Sequence, residues 1–372
     1  MSMELLIMYS YLLLMNAITI GIIAFTPYWT RKTVQFGCSI PEAEFHTPLL
    51  RSMRRRYAGW MGSFGLLLLV VCSAIAAAVG PDRIAIVITA NVIVVGLVST
   101  FMYYYYHNKM KKLKAEKGWI GHGLRIVAVD TSFRKKLVIS TSWYWLQIGV
   151  VAVNALVLAL NYDKIPDVLN MHYDFEGNVT RTEPKSFGNV FMMSIIQIVI
   201  VGLFSSINVA IKKSKQQIDA NNLQKSIGQN TRFRRSWSQF LFAMGLAMVL
   251  MFVFDQYSLL FSFDGNLVLA VNLLVPLAMV VGVVLLSIRT GQGGSNLAVE
   301  GTPSPEAVEP INDDKHWKLG MIYYNPDDPT LFLEKRVGIG WTVNFARPLA
   351  WVILLGPLVI AAVIIIAVET AS

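Results

Sequence analysis

The sequence predicts an all-α polytopic membrane protein of about eight transmembrane helices, with small β-hairpin elements in two loops, 162–186 and 313–348. Eight apolar runs are each long enough to cross a hydrocarbon core of about 30 Å, which takes roughly 20 helical residues. A composition of 55% hydrophobic and only 15% charged residues excludes an ordinary soluble domain. The runs cover residues 5–28, 58–79, 84–106, 143–160, 187–211, 237–254, 267–288 and 349–368.

Charge is divided unequally between the two sides of these runs. Threading them alternately through a membrane places 28 of the 32 lysines and arginines on one side. Because basic residues accumulate in cytoplasmic loops, we predict a multi-pass protein of the plasma (cytoplasmic) membrane with both termini outside. Ten of the 23 acidic residues fall on the outer side, against four basic ones. An acidic outer face would attract cationic ligands.

This topology divides the chain into six segments. They are an N-terminal transmembrane region of four helices with basic inner loops (1–161), an extracytoplasmic loop (162–186), a transmembrane region of three helices (187–290), a flexible Gly-, Ser- and Pro-rich inner linker (291–312), an inner-face domain (313–348) and the last transmembrane helix (349–372). The first run is not expected to be a cleaved signal peptide, because no basic residue precedes it and it is longer than the apolar core of such a peptide. We expect it to remain in the protein as a transmembrane helix. Cys38 on the inner side and Cys72 within a span allow no extracellular disulfide.

The polar residues within the spans are amides. They are Asn16, Asn91, Gln147, Asn154, Gln197, Asn208, Gln239 and Asn272. We expect them to form hydrogen bonds between helices. Because no ionisable residue lies near the middle of a run, proton- or sodium-coupled transport is disfavoured. Pro276 and Gly282 interrupt the seventh run, where they either serve helix packing or open a crevice.

The sequence contains no familiar catalytic signature. It lacks an HExxH pair, a GxSxG elbow, a GxxxxGKS/T loop and paired intramembrane aspartates, and its five histidines fall in different loops. We therefore expect no enzyme, no cofactor and no metal site. The basic and aromatic tract 103–119 is more typical of an inner membrane boundary than of nucleic-acid binding.

The outer loop carries the side chains that best suit ligand binding. Pro166 stops the preceding helix, and apolar and polar residues alternate up to a turn signal at Gly177, which predicts a short strand. Along this strand His172, Asp174 and Glu176 would share one face. Two carboxylates and an imidazole could there receive a basic side chain or a divalent ion. The alternative is that they only fix the turn by hydrogen bonding.

The same loop resembles a bacterial domain of unknown function that is found in the SdpI-type immunity proteins. The matching residues are Ile165, Pro166, Asp167, Leu169, His172, Tyr173, Asp174 and Gly177. Asn170 stands where that pattern has a second proline. The resemblance implies an extracytoplasmic domain and adds Asp167 and Tyr173 to the candidate ligand-binding residues.

The segment 313–348 is similar to a C-terminal domain of unknown function that accompanies the outer motif in Bacillus and its relatives. Alternation over 319–324 and 330–335 predicts a compact hairpin that docks on the inner membrane surface. We also expect the similar stretches 33–36 and 342–345 to pair edge to edge, because neither can cover its strand edge alone. The candidate docking residues are Phe36, Trp317, Tyr323, Tyr324, Trp341 and Phe345.

These observations favour a receptor-like immunity or signalling protein that responds to cationic membrane-active peptides or toxins. The alternative function is a permease or carrier subunit for a lipid or amphipathic molecule, with a crevice near Pro276 as its path. The expected partners are membrane lipids, a cationic peptide outside, and a regulator or other protein on the inner face. Nucleic acid is not expected as a partner.

Overall fold

The computed structural model describes residues 3–79, 84–119, 137–173, 178–218, 223–261, 263–299, 313–356 and 359. The helices in these residues are α1 (Met3–Trp29), α2 (Pro48–Val79), α3 (Ile84–Glu116), α4 (Tyr144–Leu160), α5 (Phe187–Lys213), α6 (Leu223–Phe261), α7 (Gly265–Thr290) and α8, described over 348–356. Six of them, α2 to α7, are long and apolar enough to cross a membrane. The protein is therefore an all-α polytopic membrane protein, which confirms the predicted fold class.

The other two predicted spans lie at the ends of the chain. The run 5–28 falls within α1, and most of 349–368 lies outside the described residues. Several helices continue past their apolar runs. For example, α2 begins at Pro48 rather than at 58, since proline suits a first helical position. Its early turns bury Met53 and Tyr57 while Arg55 stays exposed, so an amphipathic extension precedes the membrane-spanning part.

The helices pack in two groups. In the first group α2 contacts both α1 and α3, and in the second α4, α5 and α6 contact one another while α7 packs on α6. A contact between α1 and α7 joins the groups directly. Each group has its own apolar core, centred on Phe36 and Tyr106 in the first and on Val201 and Val249 in the second.

The described strands form four antiparallel hairpins. They are β1 (Val34–Gln35) with β2 (Cys38–Ser39), β3 (Val168–Tyr173) with β4 (Val179–Pro184), β5 (Trp317–Lys318) with β6 (Ile322–Tyr323), and β7 (Phe332–Glu334) with β8 (Trp341–Val343). The single hairpin predicted for 319–335 is wrong. Leu319 and Gly320 have φ values of 53° and 72° and turn the chain inside the predicted first strand.

The edge-to-edge pairing predicted for 33–36 and 342–345 is also wrong. β1 pairs with β2 and β8 pairs with β7, so the backbone of each stretch forms its strand hydrogen bonds within its own hairpin. The β1–β2 hairpin instead contacts the β5–β6 hairpin, because the Gly37 turn lies directly against the Gly320 turn. A Cβ atom at Gly37 would come within 2.6 Å of the Gly320 Cα atom. This contact requires glycine at both turns.

Residues 313–347, which we call the cap, lie at the end of α5 opposite the β3–β4 hairpin. The 27 residues of α5 span about 40 Å between them. Directly after α5, the Lys215 backbone N–H donates to the Phe332 carbonyl of β7 at 2.8 Å. Part of the predicted flexible linker is also attached here. The Gln292 side chain donates to the carbonyls of Lys335 and Gly340, both at 3.0 Å.

Candidate functional site

The β3–β4 hairpin covers the ends of α4 and α5. Leu169 of β3 is 1% exposed and belongs to an apolar cluster with Leu158 of α4 and Val190 of α5. Beside it, the rings of Tyr162 and Phe187 stack with centroids 4.5 Å apart. The hairpin is therefore packed against the two helices that it connects.

The outer strand does not alternate regularly. The register between β3 and β4 shifts on both sides of His172, which is paired with Arg181. Such irregularities re-aim side chains, so the face predicted for His172, Asp174 and Glu176 does not follow from simple alternation. Asp174 and Glu176 lie outside the described residues, as do the side chains of His172 and Tyr173. The ligand-binding role of these residues stays a prediction.

Asp167 is the predicted ligand-binding residue whose side chain is described. That side chain is 94% exposed, and its Oδ1 atom lies 3.2 Å from the Lys185 Nζ atom. Lys185 also donates to the Ile165 carbonyl at 2.8 Å. A surface ion pair of this kind stabilises a protein by about 0–1 kcal/mol, so the Asp167 carboxylate can exchange its partner for another cation.

At the cap, Arg336 is the centre of a first ionic cluster. Its guanidinium contacts Asp313, lies 2.5 Å from Asp314, and donates to the Gly37 carbonyl at 2.8 Å. The Lys114 ammonium of α3 lies 2.6 Å from the same Asp314 carboxylate. This cluster attaches the cap to the β1–β2 hairpin and to α3, both in the first helix group.

The charges of this cluster stabilise one another. Burial alone would raise the pKa of Asp314, but Arg336 and Lys114 outweigh it and hold this pKa below its ordinary value. Burial alone would likewise lower the pKa of Arg336, and the carboxylates of Asp313 and Asp314 raise it instead. For the nearby Cys38 thiol, burial and the Asp314 charge raise the pKa to about 12. Cys38 is therefore an unreactive thiol at neutral pH.

Glu334 of β7 is the centre of a second ionic cluster. Its side chain and that of Arg234 in α6 are both 0% exposed, and the Arg234 Nη2 and Glu334 Oε1 atoms lie 2.7 Å apart. Glu334 also pairs with Arg31, just after α1, and accepts from Asn230 Nδ2 at 2.7 Å. Arg234 further donates to the Ile211 carbonyl near the end of α5 at 2.7 Å. The Glu334 carboxylate thus connects the cap to α6 and to the residue Arg31 after α1, and Arg234 extends this connection to α5.

Asp328 makes a third attachment between the cap and α5. It pairs with Lys215 and accepts from the Tyr323 hydroxyl at 2.9 Å. Burial alone would raise the pKa of Asp328, but hydrogen bonds from Lys215 and Thr330 hold it well below its ordinary value. For Tyr323, burial raises the pKa to about 12. The cap is consequently bonded to both helix groups.

The six predicted docking residues have different surroundings. Phe36, Trp317 and Tyr323 are buried, Trp341 and Phe345 are half-buried, and Tyr324 is 47% exposed. The Trp317 and Tyr323 rings lie 5.0 Å apart inside the cap, and Trp341 packs on Phe233 of α6 at 5.3 Å. Most of these rings therefore contact other parts of this chain. Their docking on a membrane surface stays a prediction.

Amide side chains link the helices within the spans, as predicted. Those of Gln147 and Gln197 donate to α6 carbonyls, both at 2.9 Å, and Asn91 donates to Asn16. Gln256, which the sequence analysis did not single out, accepts from Asn154 at 2.5 Å. Further bonds join Asn208 to Ser238 and Asn272 to Asp255. The exception is Gln239, which is exposed and has no hydrogen bond within the described part of the chain.

Of the two residues that interrupt the seventh predicted span, Gly282 lies against α6. A Cβ atom at Gly282 would come within 2.8 Å of the Phe240 ring, so this glycine permits close helix packing. No group of three His, Cys, Asp or Glu side chains suited to a metal ion occurs among the residues with described positions.

The sequence analysis did not identify Glu334 as a site residue. The available signal was a glutamate within the otherwise apolar strand Phe332–Glu334.

Two comparisons with known families match parts of the chain. Residues 149–198 match a domain of unknown function, DUF1648, and residues 326–351 match a family of unknown function, DUF5808. The first segment contains the β3–β4 hairpin with most of α4, and the second contains β7 and β8. No curated protein and no solved structure matches the chain. These matches to families of unknown function thus include the hairpin and the part of the cap from residue 326 onward.

Proposed function

We propose that this protein is a receptor-like immunity or signalling protein that responds to cationic membrane-active peptides or toxins. The observation that carries the proposal is the path of α5. This helix begins directly after the β3–β4 hairpin and ends at Lys213. Two residues later, Lys215 bonds to the cap through its backbone N–H and its side chain. A displacement of the hairpin would therefore be transmitted to the cap by a single continuous helix.

The electrostatics of the hairpin end support a cationic ligand. The sequence places ten acidic and four basic residues on that side, and the Asp167 carboxylate is almost fully exposed. A peptide held there would be kept from the lipid, which is sufficient for protection. Signalling further requires the peptide to bind one packing of the helices more tightly than another. The role we propose is binding and coupling, without catalysis, and the resemblance to SdpI-type immunity proteins supports it.

The test compares acidic positions within and outside the predicted binding face. In the double variant Asp174→Asn and Glu176→Gln, tolerance of cells to cationic peptides should be lost while membrane abundance stays unchanged. Asp163→Asn, an exposed change next to the hairpin, should retain tolerance. Unchanged tolerance in the double variant would contradict the proposal. A parallel fall in abundance and tolerance would assign these residues a structural role instead.

The alternative function, a carrier for a lipid or amphipathic molecule, is supported by a different observation. An apolar cavity of about 590 Å³ lies between α2 and α3, with Leu68, Cys72, Ala90 and Val94 among its lining residues. It has room for an alkyl chain. A carrier would move a labelled lipid across proteoliposome membranes, and Ala90→Trp would stop that flux by filling the cavity. Absence of flux in the unmodified protein would exclude this alternative.

A further inference from the structure

Arg54 of α2 is a buried cation without a carboxylate partner among the described residues. Its side chain is 3% exposed and donates to the Gln35 Oε1 atom at 2.7 Å and to the Phe45 carbonyl at 2.8 Å. Its guanidinium carbon also lies 4.1 Å from the Phe45 ring centroid and 5.6 Å from that of Tyr28. These neighbours are all neutral, so they do not balance its charge.

This site differs from the two ionic clusters of the cap. There, the buried Arg234 and Arg336 each contact at least one carboxylate. A buried charge without a counter-ion destabilises a protein, because it loses hydration without gaining a partner. Neutral hydrogen-bond acceptors and the aromatic rings offset only part of this cost.

Two donors at the site are unused. The Arg54 Nε and Gln35 Nε2 atoms are buried and have no hydrogen-bond acceptor among the described residues. The two side chains already bond to each other, so both free donors belong to one locus. Gln35 is itself 0% exposed and is fixed in the β1–β2 hairpin. The locus therefore offers a positive charge and at least two N–H groups to an acceptor.

We propose that Arg54 and Gln35 form a binding site for a phosphate group. A phosphate oxygen accepts several hydrogen bonds and carries the negative charge that Arg54 lacks. Tyr28, beside the guanidinium, is half-buried, whereas Arg54 and Gln35 are 3% and 0% exposed, so a phosphate reaches the two donors when the side chains over them move aside. The exposed Arg51 and Arg55 of α2 would attract an anion to this surface. The phosphate could belong to a phospholipid headgroup or to free phosphate.

The experiment measures thermal unfolding of the full chain in maltoside micelles, which contain no phosphate. Phosphatidylglycerol should raise the melting temperature by about 3 °C or more, and a neutral glycolipid should not. Stabilisation by inorganic phosphate alone would identify free phosphate as the ligand, and stabilisation by phosphatidylglycerol alone would identify the lipid headgroup. Failure of both to stabilise the protein would overturn the proposal.

Two variants with equal charge changes separate this site from general attraction to anions. Gln35→Glu is nearly isosteric and supplies the missing carboxylate, so the protein should stay folded and lose its response to phosphate. Arg55→Gln removes one exposed positive charge and should retain the response. A Gln35→Glu protein that is still stabilised as strongly as the unmodified one would contradict the assignment of the site.

Discussion

At the scale of single residues, Glu334 is the group on which the attachment of the cap most depends. It is completely buried between the Arg234 and Arg31 guanidinium groups, and Asn230 donates to it. Removing one partner of a buried ion pair costs about 3–5 kcal/mol, because the remaining charge stays desolvated. Here two guanidinium groups would be left without their shared carboxylate.

Replacing Glu334 by alanine should therefore destabilise the protein strongly. We expect a clear fall in the melting temperature in detergent, with increased protease cleavage of the cap. Glu42→Ala, which removes an exposed carboxylate, should change the melting temperature little. Equal effects of the two substitutions would show that the buried cluster contributes no special stability.

The pH dependence of stability should reflect the carboxylates of the cap. The pKa values of Asp314 and Asp328 are both lowered in the folded protein. Each therefore contributes stability that is fully present above the unfolded-state pKa of about 3.9 and is lost as the pH falls toward the folded-state value. The melting temperature should fall from pH 5 to pH 3, and less steeply in Asp328→Asn. Identical pH profiles would contradict this account.

At the scale of elements, amide hydrogen bonds join α4, α5 and α6 into a unit. Gln256 of α6 donates to the Val190 carbonyl at 3.1 Å and to the Ser194 hydroxyl at 3.0 Å, both in α5. Its Oε1 atom accepts from Asn154 of α4. This single side chain thus connects three helices near the β3–β4 hairpin.

Leucine substitutions at Gln256 and Gln239, both in α6, should affect the melting temperature differently. Gln256→Leu removes hydrogen bonds worth roughly 0.6–2 kcal/mol each within a membrane and should lower the melting temperature. Gln239→Leu changes an exposed residue of the same helix and should have almost no effect. The melting temperatures of both variants are measured by thermal unfolding in the same detergent. Similar falls in melting temperature would indicate that helix propensity matters more than the hydrogen bonds of Gln256.

The sequence predicted these helices and their amide contacts better than it predicted the hairpins. An amide within an apolar run has few partners except neighbouring helices, so its hydrogen bonding follows from local composition. The strands of the cap are only two or three residues long, and their pairing depends on turns such as Leu319 and Gly320. Glu334 could not be assigned to Arg31 and Arg234 from the sequence, because these partners lie far away along the chain.

At the scale of the whole molecule, the hairpin and the cap lie at opposite ends of α5, which the charge distribution assigns to opposite sides of the membrane. Single cysteines in place of Asp163 and Lys315, both exposed, report on this arrangement in a protein lacking Cys38 and Cys72. An impermeant thiol reagent on intact cells should label only the cysteine at position 163. Gly293 is unsuitable for this purpose, since a side chain there would collide with Arg31. Labelling at both positions would contradict the topology.

Coupling between the hairpin and the cap is tested most directly by hydrogen exchange. The full chain in nanodiscs is compared with and without a synthetic amphipathic peptide of lysine and leucine. The peptide should change exchange at the Lys215 amide and in β7 and β8, and this change should disappear in the Asp174→Asn, Glu176→Gln variant. Peptide binding without any change in the cap, or with the same change in the variant, would contradict the account.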